Sequence, residues 1–230
     1  MPRDEEGAGA AAGTGDPAGE GRGGERAGVA GFDVDGTLLA TDSFLPFLMR
    51  VAGGRRFWRT TLTSAPAIVG AYGGGRDRDA TKEILVERLL RDISADDLAD
   101  AGAAYGAELA GRVRPAMRRR LAWHREQGHR VVLVSASLDV YLVPFGQHIG
   151  VDAVLATSLD VDAGGRLTGR LLGANCRGPE KAARLRTWLD AHLPGADVEL
   201  WAYGDSVGDR ELLAMAHHAH LVDRRSPYVR

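Results

Sequence analysis

Gly31-Phe32-Asp33-Val34-Asp35-Gly36-Thr37-Leu38-Leu39 is the stretch on which the fold turns. Two carboxylates stand two residues apart, after a candidate strand from Val29 to Phe32 and before Gly36-Thr37. If that strand ends in a loop at Asp33, both carboxylates sit where the chain leaves a sheet. Open α/β sheets place their ligands there. Two like charges this close are unfavourable unless a cation or a shared proton relieves them. The pair therefore reads as a metal-assisted nucleophile and acid/base site.

Downstream, the sequence alternates between strand and helix patterns. Arg130-Val131-Val132-Leu133-Val134, bounded by Gly128 and Ser135, reads as a parallel strand buried on both faces. A helix around Val140 to Ile149 and a strand from Val151 to Thr157 follow. Ser158 to Leu172 alternates about Ala163-Gly164-Gly165, a hairpin signal. Pro179 opens a helix containing Leu185, Trp188 and Leu189, and Val198 to Tyr203 is the next strand. Gly204 turns the chain, Ser206 caps, Leu212, Leu213 and Met215 mark a helix, and Ala219 to Val222 is a short last strand.

Between the first two strands the pattern is helical. Ser43 is placed to cap a helix with Phe44, Leu45, Phe47, Leu48 and Met49, which Gly53-Gly54 breaks. Arg55, Arg56 and Arg59 lead to an uncharged apolar run from Leu62 to Tyr72, shorter than the ~20 residues a bilayer span needs. Helix packing is the favoured reading of this run, and a membrane-surface or lipid-substrate role is the second. Asp79 to Asp92 reads as an amphipathic helix with a Glu87–Arg91 pair. Ser94-Ala95-Asp96-Asp97 resembles a capping box, and Pro115 starts a helix that stops at Gly128. A helical insertion in an α/β domain has this pattern.

Composition sets the outer bounds. A chain of 230 residues, 44% hydrophobic, has room for one large domain or a domain with an insertion. A net charge of -2 argues against nucleic acid as the main partner. Cys176 is the single cysteine, which excludes an intrachain disulfide and cysteine-built zinc sites and fits a reducing, cytoplasmic setting. Residues 1–27 are rich in Gly and Ala with scattered charges and read as a disordered tail without the apolar core of a signal peptide.

Asp33-x-Asp35-Gly-Thr, an apolar strand ending in Ser135, a lone Lys181 at a helix start, and Gly204-Asp205-Ser206-x-x-Asp209 occur in that order. This set resembles the haloacid dehalogenase-like superfamily, and most closely its phosphoserine-phosphatase-like subfamily IB, over about residues 29–223. The resemblance implies an α/β fold: a Rossmann-like parallel core in residues 28–41 and 113–230, with a helical C1-type cap in residues 42–112. It implies a Mg2+-dependent phosphomonoester hydrolase acting through an aspartyl-phosphate on a small phosphorylated metabolite. Phosphotransfer to another alcohol and a membrane-associated enzyme acting on a lipid-like phosphate are the alternatives. Oligomeric state is not encoded in any motif.

Under that resemblance Asp33 is the nucleophile, and Asp35 protonates the leaving alcohol and then activates water. Asp33 and Asp205 are the side-chain metal ligands, Asp35 adds its backbone carbonyl, and Asp209 ligates directly or through water. Lys181, the Ser135 hydroxyl and the Ala136 N–H stabilise the transferring oxygens. Relatives that act on phosphoserine carry a Glu nine residues after the nucleophile. Asp42 stands there in this chain as the substrate-binding candidate. Arg78 and Arg91 are the candidates for a cap arginine. Phosphoserine is therefore not favoured over another small phosphomonoester.

Other residues take plainer readings. Thr37 bonds the loop backbone, and the arginines at 112, 114 and 118–120 form a solvated helix face. His217, His218 and His220 sit at a helix end as solvated or dipole-complementing groups. Trp58, Trp123, Trp188 and Trp201 read as packing residues. Asn175-Cys176-Arg177-Gly178 reads as a plain loop, with site lining as the second reading.

Overall fold

The structure, a computed structural model, describes residues 26–72 and 78–223, with the backbone alone for residues 65–72 and 78. The tail at residues 1–25, Gly73-Gly74-Gly75, the side chain of Arg78 and most of the Leu62 to Tyr72 side chains lie outside the described residues.

In chain order, β1 (Ala27–Phe32) leads into four helices: α1 (Phe44–Ala52), α2 (Gly54–Tyr72), α3 (Arg78–Leu90) and α4 (Ala95–Gly111). Then come α5 (Pro115–Glu126), β2 (Arg130–Leu138), α6 (Asp139–Ile149), β3 (Ala153–Val161) and β4 (Leu167–Leu172). The chain continues with α7 (Pro179–His192), β5 (Val198–Gly204), α8 (Arg210–Ala214) and β6 (His218–Leu221), with a 3-10 turn over Val207–Asp209. The strands form a six-stranded sheet in the order β4-β3-β2-β1-β5-β6. Among the described strands only β4 runs antiparallel, paired with β3 as the hairpin signal predicts.

Strand alternation explains why this sheet is buried on both faces. Phe32, Leu133 and Tyr203 belong to the larger core cluster, which includes residues of α1 and of α3 to α6. Val29, Val132, Val134 and Leu200 join Leu185, Trp188 and Leu212 of α7 and α8 in the second. β1 lies between β2 and β5, the point where the connections diverge. Phe32 is level with Leu133 on one side and Tyr203 on the other. Asp33, Ser135 and Asp205 consequently emerge together at the strand C-terminal edge.

Several local readings are corrected. β1 begins at Ala27, a residue assigned above to the tail. Gly53 alone separates α1 from a single 19-residue α2 that begins at Gly54 and unites the arginine segment with the apolar run. Among the described residues, no helix is long and apolar enough to cross a membrane. β2 continues past Ser135 to Leu138, with a register shift against β3 between Val134 and Leu138. Such bulges re-aim side chains beside functional sites.

The arginines of the α4–α5 region are not a uniformly solvated face. Arg114 donates to the carbonyls of Gly36 and Asp223, and Arg118 to those of Ala110 and Val113. Arg120 lies over the rings of Trp123 and Tyr203. His218 and His220 are in β6, stacked on Trp201 and Tyr203, and His217 accepts the Leu200 N–H. Trp58 is 59% exposed and so is not interior packing. Thr37 is fully buried, yet its hydroxyl has no hydrogen-bond partner among the described residues.

Candidate active site

Beyond β1 the chain turns sharply. Thr37 and Leu39 both donate their N–H to the Val34 carbonyl, at 3.2 and 2.9 Å. Gly36 sits at φ 89°, a conformation that disfavours a side chain. Asp33 precedes this turn, 5% exposed, with its N–H on the Tyr203 carbonyl at 2.9 Å. On the neighbouring strand, Gly204 lies so close to the Asp209 side chain that any Cβ there would clash.

Lys181, at the start of α7 and 2% exposed, joins two carboxylates. Its ammonium donates to Asp33 Oδ1 at 2.5 Å and to Asp209 Oδ1 at 2.6 Å. The second oxygen of Asp209 accepts from the N–H groups of Asp205 and Ser206, at 3.2 and 3.0 Å, and from the Ser206 hydroxyl at 2.8 Å. Ser206 therefore heads the 3-10 turn over Val207–Asp209, whereas the helix the sequence has it cap, α8, starts one turn later with Asp209 before it. Oxygens of Asp33, Asp205 and Asp209 lie within 4.8 Å of one another. The set is all-carboxylate, the donor chemistry that a hard divalent cation prefers.

Asp35 is held differently. Ser137 donates its hydroxyl to Asp35 Oδ2 at 2.6 Å. Ser43 donates its N–H to Oδ1 at 2.9 Å and its hydroxyl to Oδ2 at 3.0 Å. Tyr141 OH lies 3.0 Å from the same Ser43 hydroxyl, and Tyr105 donates to the Ser43 carbonyl at 3.0 Å. Ser43 therefore heads α1 without capping it by its side chain. Asp42 accepts the Leu45 N–H at 2.9 Å instead.

Burial pushes both carboxylates of the turn upward. Asp33 reaches about 7, with Lys181 opposing the rise, and Asp35 about 6, with the Ser137 and Ser43 hydrogen bonds opposing it. Burial works against the Lys181 ammonium, but Asp33 and Asp209 outweigh it and hold its pKa above the usual value. Burial likewise raises Asp209, and Lys181 and the Ser206 donors overcome that to hold it below the carboxylate range.

Ser135, 1% exposed, accepts the Ser137 N–H on its hydroxyl oxygen at 3.1 Å. The Ala136 carbonyl accepts from Lys82 of α3 and, at 2.9 Å, from Thr157. Lys82 also donates to Asn175 Oδ1 at 2.7 Å, and Asn175 Nδ2 donates to Asp79 at 2.6 Å. Asp33, Asp35, Asp42, Ser135, Ala136, Lys181 and Asp209 all border one cavity of about 540 Å³. Asp205 stands beside it in the acidic cluster. Asn175 and Arg177 border the cavity too, which favours site lining over a plain loop. Arg91 instead pairs with Glu87 at 2.9 Å on an exposed surface and is not among the cavity residues.

Sequence reasoning missed Lys82, Ser137 and Tyr141. One signal was available for Lys82: of 29 basic residues, only Lys82 and Lys181 are lysines, and both reach this site. Ser137 stands two residues beyond Ser135 on the same strand, a spacing that keeps two side chains on one face. Tyr141 lies within a helix of apolar residues and carries no comparable mark.

The CicA protein of Caulobacter vibrioides is 37% identical to this chain over 192 residues, 82% of each. A histidinol-phosphatase of Neisseria meningitidis serogroup C is 25% identical over 194 residues, 81% of this chain and 86% of that one. A substrate-bound phosphoserine phosphatase superposes with a TM-score of 0.58 at 20% identity, over 84% of each chain, a likeness of fold. Residues 30–214 match the model of the haloacid dehalogenase-like hydrolases, and the chain belongs to that family.

Proposed function

We propose that the chain is a magnesium-dependent phosphomonoester hydrolase of the phosphoserine-phosphatase-like subfamily IB, acting through an aspartyl-phosphate on a small phosphorylated metabolite. The enzyme is a phosphatase of its family. The observation that carries the mechanism is the buried Lys181 bridge between Asp33 and Asp209, beside a second carboxylate held by hydroxyls. Residues 42–112 act as the cap in this reading, and residues 28–41 and 113–230 as the core.

Asp33 attacks phosphorus, forming the aspartyl–phosphorus bond as the bond to the leaving alcohol breaks. Asp35, protonated, gives its proton to the leaving oxygen. It then takes one from the water that attacks the aspartyl-phosphate, which releases phosphate and restores the Asp33 carboxylate. Lys181, the Ser135 hydroxyl and the Ala136 N–H face the charge on the transferring oxygens. The Ser137 N–H occupies an acceptor position on Ser135, which leaves the Ser135 proton for the phosphate. Asp33, Asp205, Asp209 and the Asp35 carbonyl would hold Mg2+. The ion, when bound, offsets the repulsion between two carboxylates and a phosphate dianion. A cation there also favours the ionised nucleophile, against the burial that lifts Asp33 to about 7.

Replacement of Asp33 by Asn tests the reading. With magnesium and a generic phosphomonoester, the Asp33→Asn variant is expected to lose at least ~10³-fold in kcat while keeping the wild-type circular dichroism spectrum. A wild-type rate in that variant sinks the nucleophile assignment.

A further inference from the structure

The helices α1 to α3 give the cavity a largely apolar stretch of wall. Phe44 and Leu45 of α1, Phe57 and Trp58 of α2, and Leu85 of α3 line it. Phe57 and Leu85 are buried, whereas Trp58 and Leu45 are 59% and 44% exposed. An exposed indole and leucine beside a catalytic cavity gain by being covered with something apolar.

The polar groups on this side are engaged with the protein itself. Asp42 holds the Leu45 N–H at 2.9 Å. Thr61 donates its hydroxyl to the Phe57 carbonyl at 2.9 Å and so spends its proton within α2. Asp79 accepts from Asn175 at 2.6 Å, and Asn175 accepts from Lys82 at 2.7 Å. Lys82 also holds the Ala136 carbonyl, and Thr81 has a partner of its own. Arg177 packs against Gly208, next to Asp209 at the phosphate end of the cavity. A leaving group carrying a carboxylate or an ammonium would be desolvated here and would compete for groups that already hold protein partners. An alkyl or aryl group would gain from the same wall, and a cavity of about 540 Å³ is in the range that encloses small ligands.

Resting on the phosphatase reading above, we infer that the preferred substrate is a phosphomonoester whose leaving alcohol carries an alkyl or aryl group. The test is kcat/KM of the full chain with magnesium on methyl, n-butyl and n-hexyl phosphate and on O-phospho-L-serine. The alkyl alcohols are similarly basic, so the series varies burial rather than leaving-group quality. A rise of ~3-fold per methylene is expected, with phosphoserine below butyl phosphate. Trp58→Ala should lower the hexyl-to-methyl ratio at least ~10-fold, about two methylenes' worth of contact.

A parallel arm offers dioleoyl phosphatidic acid in phosphatidylcholine vesicles. Turnover there, together with the alkyl trend, supports the inference with a lipid as the source. The alkyl trend without vesicle turnover supports it with a soluble ester. A flat alkyl series, or phosphoserine at or above hexyl phosphate, overturns the inference and leaves the phosphatase reading standing. Failure to hydrolyse any phosphomonoester overturns both.

Discussion

On the sheet side of the site, Asp33 meets a buried ammonium at 2.5 Å. On the helical side, Asp35 meets hydroxyls, from Ser137 at 2.6 Å and from Ser43 at 3.0 Å. Burial raises both carboxylates, to about 7 and about 6, but the groups that oppose it differ in kind. An ammonium can only donate, so it favours the charged carboxylate alone. Hydroxyls both donate and accept, and the Ser43–Ser137–Tyr141 cluster can reverse its donors as Asp35 gains or loses a proton. A carboxylate that must stay ionised to attack suits the first setting. One that must shuttle a proton suits the second. The chain separates these environments by only two residues because a tight turn follows the strand and sends Asp35 toward α1.

The largest expected effect breaks the ionic side. Lys181→Met leaves Asp33 and Asp209 without the ammonium that joins them. Removing one partner from a buried ionic group typically costs about 3–5 kcal/mol of stability, and losing a charge donor to the transferring oxygens costs roughly 10²–10³-fold in kcat. Thermal denaturation with and without magnesium chloride checks the first part. The variant's midpoint should fall and then recover more on adding magnesium than the wild type gains. An unchanged midpoint without magnesium would show that the bridge does not stabilise the fold.

A smaller effect probes the hydroxyl side. The Ser137 hydrogen bond favours ionised Asp35 and so lowers its pKa. Ser137→Ala removes that bond, the pKa rises above about 6, and Asp35 keeps its proton to higher pH. If protonated Asp35 is the acid for the leaving alcohol, the basic limb of kcat/KM moves upward in pH. kcat should fall ~10-fold through poorer positioning. A basic limb that stays in place would remove Asp35 from the acid role.

The ionic side was legible in the sequence and the hydroxyl side was not. Asp33, Lys181, Asp205 and Asp209 stand at strand or helix ends, where an α/β sheet gathers its chemistry, and their order along the chain resembles a known family. The sheet was legible for the same reason: runs such as Val131 to Val134 permit few structures other than a buried parallel strand. Ser137 is hidden because the apolar pattern of β2 stops at Ser135, whereas the strand bulges there and continues to Leu138. Ser43 matches a helix cap by residue type, and only its approach to Asp35 diverts it from that role. Lys82 is one of several charged residues on α3, with Asp79, Glu83, Glu87 and Arg88, so charge and helical periodicity alone give it no distinction.

Lys82 carries the smallest of these effects, because it holds the helical side to the sheet edge without touching either carboxylate of the turn. Its ammonium joins α3 to the Ala136 carbonyl, in the peptide whose N–H comes from Ser137 and meets Ser135. Burial lowers its pKa to about 8, with Asp79 opposing the fall, so the charged clamp is present below pH 8 and lost above it. Lys82→Met should raise KM by ~10-fold with a smaller change in kcat, since the reacting groups stay while the wall beside them loosens. In the wild type KM should climb as pH passes 8, and in Lys82→Met it should be high already and flat through that range. If both proteins instead share one pH-independent KM, the ammonium is not what ties α3 to the sheet edge. The buried side chains of Leu85, Leu89 and Leu90 would then be sufficient to hold it.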